Sequence, residues 1–206
     1  MKKTPSTPAA TAHRVAELAR KTRETDIFVS IDIDGSGKNE IDTGVPFFNH
    51  MLELFARHSL CDLVVKAKGD IDVDYHHTVE DVGIVLGTCL DNALGDRKGI
   101  RRYGSILLPM DESLSAVAVD LGGRPFLVYD ISNKKQFIRD FDVKLVEEFF
   151  RAFIVQGRMN LHIRHLYGDE VHHAYESVFK GVARAIRIAV DRDPRETGVP
   201  SSKGVL

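Results

Sequence analysis

His76-His77-Thr78-Val79-Glu80 and His172-His173-Ala174-Tyr175-Glu176 are two copies of one pattern, His-His-x-x-Glu, set nearly half a chain length apart. Each copy opens an apolar run with helical spacing. The first run reaches about Leu94 and stops near Gly95, and the second reaches about Val190. Working outward from the first copy, Leu63, Val64, Val65 and Ala67 predict a strand. Pro46 to His58 predicts a helix whose face carries Phe47, Met51, Leu54 and Phe55. Before it, Ile27, Val29, Ile31 and Ile33 alternate as in a half-buried strand, which a turn at Asp34-Gly35-Ser36-Gly37 closes. Outward from the second copy the order recurs. Met159, Leu161 and Ile163 alternate as a strand, and residues 143–155 predict a helix. Ala116 to Leu121 and Pro125 to Ile131 predict two strands joined by a Gly122-Gly123 turn.

Strands followed by paired helices, twice over, predict an α+β fold. It would consist of two tandem similar half-domains, 13–100 and 101–206, each a small mixed β-sheet with helices packed on one side. No low-complexity linker separates the halves, so they should pack together. Residues 1–12 (MKKTPSTPAATA) predict a disordered tail. The last segment, from Pro194, contains Gly198, Pro200 and Gly204 and should be irregular.

With 206 residues, 43% of them hydrophobic, the chain has ample material for a core. A formal net charge of -2 gives no strong field for nucleic acid or a membrane surface. Its apolar runs are too short to span a bilayer, and the N-terminus lacks the apolar core of a secretory signal. Cys61 and Cys89 have no metal-type spacing, so reduced thiols in a cytoplasmic protein are expected.

The repeated motif has the chemistry of a metal site. Imidazole and carboxylate are the usual ligands of borderline divalent ions. On a helix, residues four apart share a face, so His76 with Glu80, and His172 with Glu176, can each grip an ion. Adjacent helical residues diverge by about 100°, which turns His77 and His173 toward a different ion or another subunit. A single His-His pair is more often a surface feature; two copies with the same carboxylate offset point to metal. The zincin pattern His-Glu-x-x-His is absent. His50 lies between apolar residues and taken alone reads as a core histidine. His162 reads as solvated, and His13, His58 and His165 have no motif around them.

Five ordered stretches carry a family resemblance. They are Arg23-Glu24-Thr25, Asn49-His50-Met51-Leu52, His76-His77-Thr78-Val79-Glu80-Asp81, Asp120-Leu121-Gly122-Gly123-Arg124-Pro125 and His172-His173-x-x-Glu176. Together, from about Arg14 onward, they resemble the monofunctional imidazoleglycerol-phosphate dehydratases of histidine biosynthesis. The resemblance implies dehydration of D-erythro-imidazole-glycerol phosphate to imidazole-acetol phosphate, with two Mn2+ ions per active site. One ion would take His50, His77, His172 and Glu176. The other would take His76, Glu80, His173 and a residue of the preceding helix, commonly His in the family; here Glu148 stands in its place, a carboxylate that manganese also accepts. With both ring nitrogens on metal, the substrate imidazole would be held as an imidazolate able to expel hydroxide, and the enol would tautomerise to the ketone.

The same resemblance makes Glu24, within Arg20-x-Thr22-x-Glu24-Thr25, the leading proton-transfer group, with Asp111 and Glu112 as second choices. It assigns Arg102, Arg124, Ser201, Ser202 and Lys203 to the phosphate, and Glu24, His50, His76 and His172 to contact with substrate. Family members form trimers that assemble into a 24-subunit shell with shared active sites. Two other readings stay open from the residues. One is a dinuclear metallohydrolase, whose usual carboxylate-rich motifs are missing and which would release inorganic phosphate. The other is a non-catalytic shell in which the histidines only join subunits.

Overall fold

The protein is described by a computed structural model covering residues 13–131 and 135–206. The predicted N-terminal tail lies outside the described residues. Two four-stranded sheets of the same topology organise the chain. The first contains β1 (Val15–Lys21), β2 (Thr25–Asp32), β3 (Asn39–Asp42) and β4 (Asp62–Gly69), in the order β1-β2-β4-β3. Helix α1 (Pro46–Ser59) crosses from β3 to its parallel neighbour β4, and α2 (His76–Leu94) follows. The second contains β5 (Tyr103–Met110), β6 (Ser113–Asp120), β7 (Phe126–Asp130) and β10 (Asn160–Tyr167), in the order β5-β6-β10-β7. A small hairpin, β8 (Phe137–Ile138) with β9 (Phe141–Asp142), precedes the crossover helix α3 (Leu145–Gly157), and α4 (Val171–Val190) closes the fold. The architecture is α+β with tandem half-domains.

The Gly122-Gly123 turn does not make a hairpin. Strand β10 inserts between the two strands it joins, antiparallel to β6 and parallel to β7. The first half does the same, with β4 entering between β2 and β3. Strands β1, β3 and β5 were not predicted. All three lie at sheet edges, where pairing on one side suffices and even Pro109 of β5 is tolerated.

The halves are joined through their helices. α2 lies on β1, β2 and β4 and also against α3 of the other half; α4 lies on β5, β6 and β10 and against α1. Thus the helices form the inner layer, and each sheet turns one face outward. Phenylalanines from three helices fuse the layer: Phe48 meets Phe149 edge-on with centroids 5.3 Å apart, and Phe150 meets Phe179 at 5.0 Å. Such ring pairs contribute beyond their burial.

The α2–α3 contact depends on missing side chains. A Cβ at Gly87 would stand 2.4 Å from the Phe153 carbonyl oxygen, and one at Gly83 would stand 2.7 Å from that of Phe149. Both obstacles are backbone, so the helices would have to separate. Gly87→Ala should therefore cost about 1–3 kcal/mol, read as a lowered midpoint in thermal melts of metal-free protein. An unchanged midpoint would show that the helices do not approach so closely.

Candidate active site

The helix starts dictated by the two histidine pairs lie where the halves meet. Asp74 accepts the His76 backbone N–H at 2.7 Å, and Glu170 caps α4 by accepting the His172 N–H at 3.2 Å. Both use donors that a helix start leaves free. Pro46 opens α1, its fixed φ suited to the first helical position. One turn in, His50 reaches the start of α4.

There, Glu176 Oε1 lies 2.9 Å from His50 Nε2 and 3.2 Å from His172 Nε2. The three ligand atoms fall within 4.8 Å of one another, the one such group among the described residues. His50 is no core histidine; its side chain is 40% exposed and faces this group. The other carboxylate oxygen of Glu176 accepts from Lys180 Nζ at 2.5 Å. Burial pushes the Glu176 carboxyl up, but hydrogen bonds from Lys180, His50 and His172 outweigh it and hold the group at about 2. The acid is thus ionised at neutral pH, with two imidazole nitrogens on one of its oxygens. That N,N,O donor set fits manganese or a similar divalent ion.

A looser arrangement forms by the same packing with the halves exchanged. His76 Nε2 lies 3.7 Å from Glu80 Oε2 on α2. His76 and Glu148, from the facing helix α3, line a common cavity of ≈ 560 Å³ with Tyr75, Asp140 and Lys144. So α1 brings His50 to the His172–Glu176 face of α4, and α3 brings Glu148 to the cavity that His76 of α2 lines.

His77 and His173 do not join these groups. His77 Nδ1 donates to Asp70 at 3.0 Å, with Glu24 Oε2 at 3.9 Å, and His173 Nδ1 donates to Glu112 at 2.8 Å. The bond to Asp70 raises the His77 pKa, and the bond to Glu112 raises that of His173, each against some loss from burial. Glu24 sits at the tip of the β1–β2 hairpin. Thr22 Oγ1 accepts the Glu24 and Thr25 N–H groups there at 3.1 and 2.9 Å, and Asp81 of α2 holds both Arg20, at 2.6 Å, and the Thr25 hydroxyl. The Arg20-x-Thr22-x-Glu24-Thr25 pattern is therefore a device that fixes this tip against α2. Asp111 lies at the other hairpin tip, 3.9 Å from His173 Nε2.

The candidate phosphate residues lie elsewhere. Arg102 is held by Asp120 through Nε at 2.6 Å and Nη2 at 3.1 Å, and its Nη1 donates to the Pro200 carbonyl at 2.8 Å. It thereby ties the Ser201-Ser202-Lys203 segment to the start of β5, where Arg124 follows the Gly122-Gly123 loop. Arg102 N also donates to the Ala189 carbonyl at the far end of α4. The eight-residue β5 separates this group from Glu112 and His173 by about 25 Å, and most of the 20-residue α4 separates it from His172. Within one chain the cationic group and the histidines do not meet.

Sequence reasoning missed Asp70, Asp81 and Lys180. Two carried a signal: Asp81 closes the His76–Asp81 stretch of the resemblance, and Lys180 is spaced four from Glu176 on the same helix face. Of the other four histidines, His13 bonds Asp32 at 2.5 Å and His165 Ser113 at 3.3 Å, burial lowers the His58 pKa, and His162 is exposed on β10, as expected.

The Glu176–Lys180 pair yields a test. Glu176→Gln leaves a buried ammonium uncompensated, which should cost about 3–5 kcal/mol. Replacing both, as Glu176→Gln with Lys180→Met, should restore much of that loss in urea melts of metal-free protein. Strictly additive losses would show that the two groups are not coupled.

A family model described as imidazoleglycerol-phosphate dehydratase matches residues 43–186. The imidazoleglycerol-phosphate dehydratase of Methylorubrum extorquens is 56% identical over 194 residues, covering 94% of this chain and 100% of the relative. That of Symbiobacterium thermophilum is 54% identical over 197 residues, covering 96% and 95%. The crystal structure of the Staphylococcus aureus protein of that name superposes with a TM-score of 0.79 at 40% identity, over 87% of this chain and 99% of that one. The IGPD structure from Pyrococcus furiosus gives 0.80 at 36% identity, over 92% and 100%.

Proposed function

This chain belongs to the imidazoleglycerol-phosphate dehydratase family, a family of hydro-lyases, and from that premise we propose how it removes water from D-erythro-imidazole-glycerol phosphate. The product is imidazole-acetol phosphate, within histidine biosynthesis. The observation that carries the reading is the convergence of His50, His172 and Glu176 from two half-domains, with an ionised carboxylate at its centre.

His50, His172 and Glu176 hold one divalent ion and His76, Glu80 and Glu148 a second, both Mn2+. His77 and His173, which reach neither group in their own chain, complete the sets of neighbouring chains. Bound there, the ions supply Lewis-acid activation of the substrate's imidazole ring. The protein's own residues do the rest. Glu24, 56% exposed on a tip anchored to α2, takes the carbon-bound proton next to the departing hydroxyl. Water leaves, and the resulting enol tautomerises to the ketone. Arg102, Arg124, Ser201, Ser202 and Lys203 bind the phosphate as charge-assisted donors. Asp120 and the Pro200 carbonyl fix the Arg102 guanidinium and leave it further N–H groups for that anion.

A separation of about 25 Å between the cationic and histidine groups supports an active site that draws on more than one chain. The outer face of the second sheet supports self-association. Tyr103, Leu107 and Phe126 stand 57–62% exposed on it, whereas the first sheet turns Asp26, Lys66 and Lys68 outward. Large apolar side chains exposed on one sheet face in this way suit a contact face. The assembly is a homo-oligomer, a 24-mer of trimers. Among the described residues no helix is long and apolar enough to cross a membrane. The proposed place of action is the cytoplasm, where histidine biosynthesis would run.

Metal-stripped protein should give no ketone from imidazoleglycerol phosphate and run as smaller particles, and added manganese should restore both. Assembly without ketone would reduce the histidines to joints between subunits, and release of inorganic phosphate would mark a hydrolase. On the manganese enzyme, Lys203→Ala should raise KM strongly with metal content unchanged. Glu24→Gln should keep substrate binding and lose about 10²–10⁴-fold in turnover; near-normal turnover would clear Glu24 of proton transfer.

A further inference from the structure

The two hairpin tips beside the histidine pairs correspond, but their acids are used differently. In the second half, Glu112 holds two donors. Its Oε2 accepts the His173 Nδ1–H at 2.8 Å, and its Oε1 accepts the Glu170 N–H, just before α4, at 3.2 Å. In the first half, His77 Nδ1 donates instead to Asp70, at 3.0 and 3.2 Å to its two oxygens. Asp70 follows β4, and its own N–H donates to the Glu24 carbonyl at 3.1 Å, tying it to the hairpin. Glu24, the counterpart of Glu112, is left 3.9 Å from the same ring.

We propose that Asp70 and Glu112 are positioning residues for His77 and His173, and that Glu112 takes no part in proton transfer. The inference rests on the metal-dependent reading given above. A ring whose Nδ1–H is held by a carboxylate is fixed in one tautomer, with the Nε2 lone pair free to bind a metal. The anchor also fixes the direction in which that lone pair points. For these two histidines direction matters more than for His50 or His172, because their own chain brings no second imidazole to them and only Asp111, at 3.9 Å, stands near the Nε2 of His173. Because Asp70 serves His77, Glu24 keeps its carboxylate unclaimed. The division of labour separates the two hairpin acids: one is committed to a histidine, and the other is available to substrate.

The test compares Glu112→Ala, Glu112→Gln, Asp70→Ala and Asp70→Asn on the full-length protein, with Mn2+ binding followed by electron paramagnetic resonance and turnover followed alongside. The alanine variants should bind Mn2+ about 10–100-fold more weakly. The amide variants should recover most of that affinity, because an amide oxygen still accepts the Nδ1–H bond. The turnover deficit of Glu112→Ala should shrink as manganese is raised, while Glu24→Gln should bind manganese normally and stay slow at any concentration. Unchanged Mn2+ affinity in both alanine variants would overturn the proposal. So would a loss of turnover in Glu112→Gln that persists at full manganese occupancy, since only a proton-transfer role predicts it. Failure of the wild-type protein itself to bind Mn2+ would instead bring down the metal-dependent reading, and this inference with it.

Discussion

A buried carboxylate shared by nitrogen donors governs how the two halves of this chain meet. Glu176 is 7% exposed, and its oxygens face His50, His172 and Lys180. His50 belongs to the first half and the other three to the second. An ionised acid at that depth is tolerable only if its hydrogen bonds are complete. The starts of α1 and α4 therefore have to come together. The phenylalanines behind them and the side-chain-free contact of α2 with α3 supply the apolar packing that makes the approach favourable. The donors that satisfy the carboxylate in this way are also a fitting set for a divalent ion.

Duplication explains why the second half-domain pairing resembles the first and how it differs. Each half supplies a crossover helix and a His-His-x-x-Glu helix, and each crossover helix packs on the other half's motif helix. The first pairing brings His50 to His172 and Glu176. The second brings Glu148 to the cavity of His76. In the proposed second set a carboxylate stands where the first has an imidazole, an oxygen-rich choice that suits a hard ion. The outward histidines, each bound through Nδ1 to an acid of its own half, cannot serve the groups beside them. Together with the distance to Arg102 and Lys203, this is why the proposed site draws on more than one chain.

Much of this was legible in the residues, for identifiable physical reasons. Helix starts at His76 and His172 follow from periodicity, and the pairing of His76 with Glu80 and His172 with Glu176 from helix geometry. Strand β3, Asn39-Glu40-Ile41-Asp42, was not legible because one apolar residue in four leaves no alternation to read. The hairpin expected at Gly122-Gly123 failed because a local turn signal says nothing of β10, which arrives from far along the chain to fill the gap. Asp70 and Lys180 were missed because their roles lie in contacts to other ligands, and a lone Asp or Lys resembles any surface charge. The resemblance to the dehydratases named His50, which its apolar neighbours had disguised as a core residue.

In the proposed enzyme, one active site takes its metal ligands and its phosphate ligands from different chains. Mixing two defective proteins tests it most directly. His172→Ala removes the metal group of its own chain, and Lys203→Ala weakens the phosphate group of its own chain. Each should be nearly inactive alone at low substrate concentration. Dissociated by metal removal and reassembled together with manganese, they should form particles in which some sites pair an intact metal group from one chain with an intact phosphate group from another. Recovery of activity well above the sum of the two is the predicted result. Mixed particles of full size with no activity above that sum would contradict the account, because they would place both groups of a site in a single chain.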